Sequence, residues 1–192
     1  VTGVQTCALP IFYEHRIGLD FGYSHNTAGV RLLVDRANRE IYVCQELYEQ
    51  RLSTDEIYKR LQELDWAMEP IHADSEAPQT IKDLKKLGCP RIFGVRKAPG
   101  SVLSGIQEIR GYKIYIHPEC ENFYVEITHY SFKKDKNGRE LPQPKKEWDH
   151  LMDAMRYAMI DDEAGVEFVD TSKATPKDER QRYERMLRRL LR

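Results

Sequence analysis

Cysteine is scarce in this sequence and is never spaced as a ligand set. The four residues, at positions 7, 44, 89 and 120, include no CxxC pair, which excludes the common zinc-binding spacings and a disulfide framework and favours a reducing, cytosolic setting. Long apolar runs are absent too: nothing approaches the roughly 18–20 residues that a membrane-spanning helix needs. An excess of either charge is missing, since 30 Lys and Arg face 31 Asp and Glu for a net charge of −1. Such balance neither demands nor excludes a polyanionic partner; the distribution of charge along the chain has to decide. Internal repeats are lacking, which excludes solenoids and propellers. What is present is 41% hydrophobic and 32% charged residues in a chain of 192. That is enough for one well-buried core, too short for two full-sized domains, and too apolar for a disordered polymer.

The chain opens VTGVQTCALPI. This stretch has no basic leading region, and its apolar part is too short and interrupted for a secretory leader. It resembles, codon by codon, the translation of a short-read sequencing adapter. Residues 1–12 are therefore expected to be a non-native segment without fold information, Cys7 leaves the count, and the open reading frame is expected to continue upstream.

Three β-rich runs follow, at 16–21 (RIGLDF), 29–35 (GVRLLVD) and 40–48 (EIYVCQELY), with Asn38 in the polar break between the last two. They read as an antiparallel meander. Ser53 then starts a helix, because STDE places a hydroxyl three residues before Glu56 and Ile57, Leu61 and Leu64 repeat at helical spacing. A strand at 70–74, a helix carrying Ile81, Leu84 and Leu87 and stopped at Gly88, a strand at 91–96, a helix at 101–110 and a strand at 113–117 continue a βαβαβ rhythm. That alternation implies parallel strands covered by helices. Residues 121–132 fit both periods and are assigned to a helix. The segment 133–146 is polar and basic with Asn137-Gly138 as a hairpin turn. A helix rich in Ala, Met and Leu starts at Asp149 and is expected to run through 164. The end, 171–192, carries eight Lys and Arg against three acids, a net +5. Tyr183, Met186, Leu187, Leu190 and Leu191 fall near helical spacing there, a pattern that suits a partner-docking helix or a solvated one. The expected division is 1–12 foreign, 13–165 one α/β domain with a mixed sheet, and 166–192 a basic tail.

Three acids sit where such a domain can gather them. Asp20 ends the first strand just before Phe21-Gly22, Asp74 ends the fourth, and Asp153 lies one turn into the last helix. A strand-end Asp is most often a turn or cap residue, and Asp149 is a natural N-cap for its helix. Asp153 is harder to explain structurally. It stands in the otherwise apolar stretch 151–159, where an unpaired carboxylate is costly and a divalent cation would remove the cost. His150 shares the same end of the helix. Three convergent carboxylates are what two-metal hydrolysis requires, with oxygen donors holding Mg²⁺ or Mn²⁺.

The segments GLDFGYSHNTA (18–28), IYVCQELYEQRLSTDEI (41–57), IHADSEAPQTIKDLKKLG (71–88), VRKAPGSVLSGIQEI (95–109) and DHLMDAMRYAM (149–159) occur together and in this order. The chain thereby resembles, over roughly 16–160, the C-terminal nuclease domain of the large terminase subunit of tailed bacteriophages, and the closing DHxxDAxRYA element is the most specific part. The resemblance implies an RNase H-like fold and a two-metal-ion endodeoxyribonuclease that cuts concatemeric double-stranded viral DNA during packaging. Asp20, Asp74 and Asp153 match the family's metal-binding acids, Asp20 bridging two ions of Mg²⁺ or Mn²⁺ and the others each completing one site. His150 matches a histidine near the metals. Arg96 and Lys97 fall in the family's basic segment, and these residues with the hairpin lysines Lys133, Lys134, Lys136, Lys145 and Lys146 are the expected DNA contacts, sequence-independent and salt-sensitive. Arg156 and Tyr157 complete the last motif as structural residues. The implied partners are double-stranded DNA, the portal protein, the small terminase subunit and the other subunits of an oligomeric packaging motor, with no membrane. The implied location is the host cytoplasm and, transiently, the procapsid.

Two departures stand out. His25-Asn26 replaces a frequent Asp-Pro after the first glycine turn, and no GxxxxGK[ST] phosphate loop for an ATPase domain is present. Truncation at the adapter-like segment is the expected reason for the second. Other readings remain: a RuvC-like junction resolvase with the same acid layout, and a DNA-binding or motor-docking module that does not cut. The IGLDFGYSHNTAG segment also resembles the phosphate-binding opening of the actin and sugar-kinase group, but too little chain follows for that group's second lobe.

Overall fold

The computed structural model describes residues 13–160; the adapter-like segment and the basic tail lie outside the described residues. The first three strands are β1 (Glu14–Asp20), β2 (Asn26–Asp35) and β3 (Glu40–Gln50), the expected antiparallel meander. Then come α1 (Thr54–Glu63), β4 (Ile71–Ala73), α2 (Pro78–Leu87), β5 (Ile92–Gly94), α3 (Ser101–Ile109), β6 (Lys113–Ile116) and α4 (Glu121–His129). A two-stranded ribbon, β7 (Phe132–Lys134) and β8 (Glu140–Pro144), precedes α5 (His150–Met159).

Local signals account for most of these boundaries. Ser53 accepts from the Glu56 amide while the Glu56 carboxylate accepts from the Ser53 amide, a complete capping box. Pro78 opens α2, where its missing N–H is not needed, and Gly88 closes it at φ 130°. The segment 121–132 divides into α4 and the start of β7, and its helical reading holds through His129. The last helix stops at Met159, with Ile160 extended at ψ 121°, short of the expected 164.

The six-stranded sheet runs β5-β4-β1-β2-β3-β6. β4 lies parallel to β1 and to β5, as the alternation implied. β6 does not extend that parallel series beyond β5: it crosses to the far edge and pairs in parallel with β3. The sheet separates two cores. On one face Ile17, Leu19, Ile71 and Ala73 pack with Ile57 and Leu61 of α1, Ile81 and Leu84 of α2, and Trp66. On the other, Val30, Leu32, Ile41 and Val43 pack with Phe123 of α4 and Leu151, Ala154, Met155 and Ala158 of α5. Because strand side chains alternate, each core residue on β1 or β4 fixes the opposite orientation for its neighbours. Cys44, Cys89 and Cys120 are all buried and unpaired, small apolar fillers of this interior.

Candidate active site

Strand parity places two of the acids on one face. Ile17 and Leu19 point into the α1/α2 core, so Gly18 and Asp20 face α5. Ile71 and Ala73 do likewise on β4, which turns His72 and the following Asp74 towards the same side. Leu19 pairs with Ala73, and the Asp74 amide donates to the Leu19 carbonyl at 2.9 Å. Asp20 and Asp74 therefore stand at adjacent strand ends. α5 brings the third acid. It lies so close on β1 that a Cβ built on Gly18 would stand 1.8 Å from the Ala154 carbonyl oxygen, and Asp153 immediately precedes Ala154. One turn earlier, His150 Nδ1 lies 3.4 Å from Asp20 Oδ2. The loop after Asp20 is tied off by Thr27, whose hydroxyl donates to the Gly22 carbonyl at 2.7 Å. That loop carries His25, whose ring stacks on His150 at 5.6 Å.

Each acid has a basic companion. His150 accompanies Asp20, Lys97 Nζ reaches Asp74 Oδ1 at 2.6 Å, and Arg156 Nη2 reaches Asp153 Oδ1 at 2.9 Å. Lys97 also bonds Glu76 at 2.8 Å and lies over the Tyr157 ring. Burial pushes the Asp20 carboxyl up to about 6; the His150 hydrogen bond opposes the rise, and the charges of Asp153 and Asp74 add to it. His150 is held above the usual imidazole value, first by its bond to Asp20 and then by surrounding acids, against its own desolvation. Burial and the Asp153 charge raise Asp149. Burial also raises Tyr157, with Asp153, Asp20 and Asp74 contributing. These mutual effects put the carboxylates in one shared field.

In this arrangement no three His, Cys, Asp or Glu groups among the described residues converge closely enough to hold a metal ion. The chemistry of the donor set nevertheless suits one. Asp20, Asp74 and Asp153 supply only hard oxygen ligands, the kind Mg²⁺ and Mn²⁺ prefer. Burial first, and then the charges of Asp153 and Asp74, disfavour the ionised form of Asp20, and a divalent cation bound there would favour it.

The expected site residues fall into two groups. Asp20, Asp74, Asp153 and His150 come together at one end of the sheet. Lys97, expected beside Arg96 as a DNA contact, points instead into this acidic group. Arg96 is exposed, as are Lys134, Lys136, Lys145 and Lys146, while Lys133 is half-buried at the start of the ribbon. Lys146 is near enough to Asp149 to act on its carboxyl, which brings the end of the ribbon segment to the rim of the site. Two readings of α5 change. Asp153 is half-buried, its side chain 21% exposed, and paired with Arg156 rather than buried alone. Asp149 takes the N-cap position, but its side chain caps nothing.

The family model for the terminase RNase H-like domain matches residues 20–161. The chain belongs to this family. Over 182 residues it is 33% identical to the PBSX phage terminase large subunit of Bacillus subtilis (strain 168), covering 93% of this chain and 41% of that protein. It is also 33% identical over 153 residues to the large terminase subunit of Bacillus phage SPP1, covering 77% of this chain and 36% of the relative. The chain thus spans about two-fifths of the length of these relatives. Among solved structures, the nuclease domain of the SPP1 large terminase with bound Mn superposes with a TM-score of 0.70 at 33% identity, over 76% of this chain and 84% of that one. The P22 large terminase nuclease domain shares the fold at 19% identity, with a TM-score of 0.59, over 78% of this chain and 81% of that one.

Sequence reasoning misses two residues that the structure brings to these acids and gives a third another role. His25 stands in the sequence only as a departure from a motif, and nothing in its spacing links it to His150. Lys97, placed by the resemblance among the DNA contacts, pairs with Asp74 and Glu76. Glu126 was not singled out; a lone acid on an apolar stretch of helix was the available signal.

Proposed function

We propose that the chain is a metal-dependent endonuclease domain of a phage DNA-packaging terminase, hydrolysing phosphodiester bonds of concatemeric double-stranded DNA. The observation that carries the reading is the gathering of Asp20, Asp74 and Asp153, from two adjacent strand ends and the helix across them, within a family whose SPP1 relative was solved with Mn bound. Asp20, Asp74 and Asp153 would hold two ions of Mg²⁺ or Mn²⁺, with His150 beside them. Bound ions supply Lewis-acid activation of water and stabilisation of the leaving oxygen.

The chain's own residues do the rest. His150, with Nδ1 3.4 Å from Asp20 Oδ2, steadies that carboxyl group when Nδ1 carries the proton. Arg156 fixes Asp153 from below, and Lys97 steadies Asp74. Arg96 and the lysines at 133, 134, 136, 145 and 146 supply the phosphate contacts, which orient the duplex without reading its sequence. In a packaging motor, portal protein, small terminase subunit and neighbouring large subunits would be the partners, in the host cytoplasm and on the procapsid.

The test is plasmid cleavage by the 192-residue chain with Mn²⁺ or Mg²⁺, alongside Asp20→Ala, Asp74→Ala and Asp153→Ala variants whose folding is checked by circular dichroism. Cleavage should fall at least about a hundredfold in each, more than the loss typical of an outer-shell partner. Nicking by Asp20→Ala at the wild-type rate would overturn the assignment. DNA binding without cleavage by the parent chain would point to a docking module instead.

A further inference from the structure

Two of the helices on the α5 side of the sheet, α4 and α5, are not capped by their own N-cap residue. Cys120 at the start of α4 and Asp149 at the start of α5 make no side-chain cap bond. A helix leaves its first backbone amides without internal partners, and burying them unpaired is costly. Both ends here are satisfied from a distance by glutamates of other elements. Glu46 on β3 accepts from the amides of Asn122 and Phe123 at 3.1 and 2.8 Å. Glu126 on α4 accepts from the Leu151 amide at 2.7 Å through one oxygen and from the Tyr48 hydroxyl at 2.8 Å through the other. Glu126 is 1% exposed, so its carboxylate is committed to these partners.

A bulge makes this relay possible. In the β2/β3 register Arg31 faces Gln45 while Leu32 faces Val43, leaving Cys44 without an opposite residue. The extra residue flips the alternation of β3. Ile41 and Val43 before it, and Tyr48 after it, consequently all lie on the α4/α5 face, whereas Leu47 points to the other core. Without the flip, Glu46 and Tyr48 would face α1.

We infer that Glu126 is a positioning residue of the site. It caps α5 in trans and, through Tyr48, locks the axial position of that helix to β3, so that His150 and Asp153 meet Asp20. The inference rests on the nuclease reading for its consequence and on the hydrogen bonds for its existence. It acts through α5, since Glu126 bonds none of the three acids.

The experiment compares Glu126→Ala, Glu126→Gln, Tyr48→Phe and, as a control that loosens α4 packing while leaving the cap intact, Ile127→Ala in the 192-residue chain. Three readouts are taken: amide exchange at Leu151 and Met152, the His150 ring resonances by NMR, and Mn²⁺ binding followed by the signal of free Mn²⁺. In Glu126→Ala, exchange at Leu151 should accelerate at least about tenfold, the His150 resonances should move, and the Mn²⁺ midpoint should rise about tenfold, as for loss of an outer-shell partner. Glu126→Gln keeps an acceptor oxygen but loses the charge and should fall between alanine and wild type, as should Tyr48→Phe. Equal effects from Ile127→Ala at matched loss of thermal stability, or unchanged exchange and His150 signals in Glu126→Ala, would overturn the positioning role. A parent chain that neither binds Mn²⁺ nor cuts DNA sinks the nuclease reading alone, because exchange and the His150 resonances still decide what Glu126 does.

Discussion

Arg156 is 3% exposed and spends one nitrogen on Asp153, while its Nε and Nη1 are buried without a hydrogen-bond partner. Its aliphatic stem fills the space left by Gly105 on α3, where an added Cβ would meet Cγ at 2.7 Å. Guanidinium and stem therefore contribute in opposite senses. The stem packs, whereas the unpartnered donors cost stability, and the bond to half-buried Asp153 and the Tyr157 ring 4.7 Å away offset them. Arg156→Met keeps most of the packing and removes both the donors and the ion pair, so urea unfolding should show a loss of about 1–3 kcal/mol, below the range for a fully buried pair. Combined with Asp153→Asn, the loss should be distinctly less than the sum of the two single losses, since each single change strands the other's partner. Additive losses would show that the pair contributes nothing as a pair.

α5 carries His150 and Asp153 and is held by contact as much as by polar bonds. Its approach to β1 is possible only because Gly18 has no side chain and Ala154 and Ala158 are small; a Cβ on Gly18 would also stand 2.9 Å from the Ala158 nitrogen. The neighbour is backbone, which cannot rotate away. Gly18→Ala should cost about 3 kcal/mol, lowering the thermal midpoint by about 6–12 °C. A midpoint within 2 °C of the parent would mean that α5 can slide outward at little cost, scale set by the same relation.

The elements themselves were legible in advance. The STDE box, the Pro78 and Gly88 boundaries and the β-rich run 29–35 are local physics, and each appears where its residues place it. The candidate site was legible in part: Asp20, Asp74 and Asp153 stand at element ends, where turns expose them. What supports those acids was not legible. Lys97 meets Glu76 from 21 residues away and Glu126 meets Leu151 and Tyr48 from 25 and 78 residues away, while His25 stacks on His150 from the other end of the domain, and no periodicity encodes such separations.

Across the molecule, the near-zero net charge is a cancellation. Acids collect at the strand ends, while the ribbon segment 133–146 carries Lys133, Lys134, Lys136, Arg139, Lys145 and Lys146. An acidic centre with a basic rim is what a metal-assisted cut of a polyanion needs, cations at the bond and phosphate contacts around it. If the ribbon lysines hold duplex DNA, replacing Lys145 and Lys146 by alanine should weaken binding equally for unrelated sequences. The slope of log affinity against log salt should become shallower by about 2. An unchanged slope would remove these two residues from the interface.

The sequence by itself determined the elements, the capping of α1, the mixed sheet and the placing of the three acids near element ends, because these depend on neighbours within a few positions or on alternation along one strand. Tertiary structure alone decided that β6 crosses to the edge beside β3, that a bulge at Cys44 turns Glu46 and Tyr48 towards the helices, and that Glu126 rather than Asp149 satisfies the start of α5. The reason is physical. A buried amide or carboxylate accepts any partner of suitable geometry, near or far in the chain, and which partner arrives depends on how sheet and helices pack.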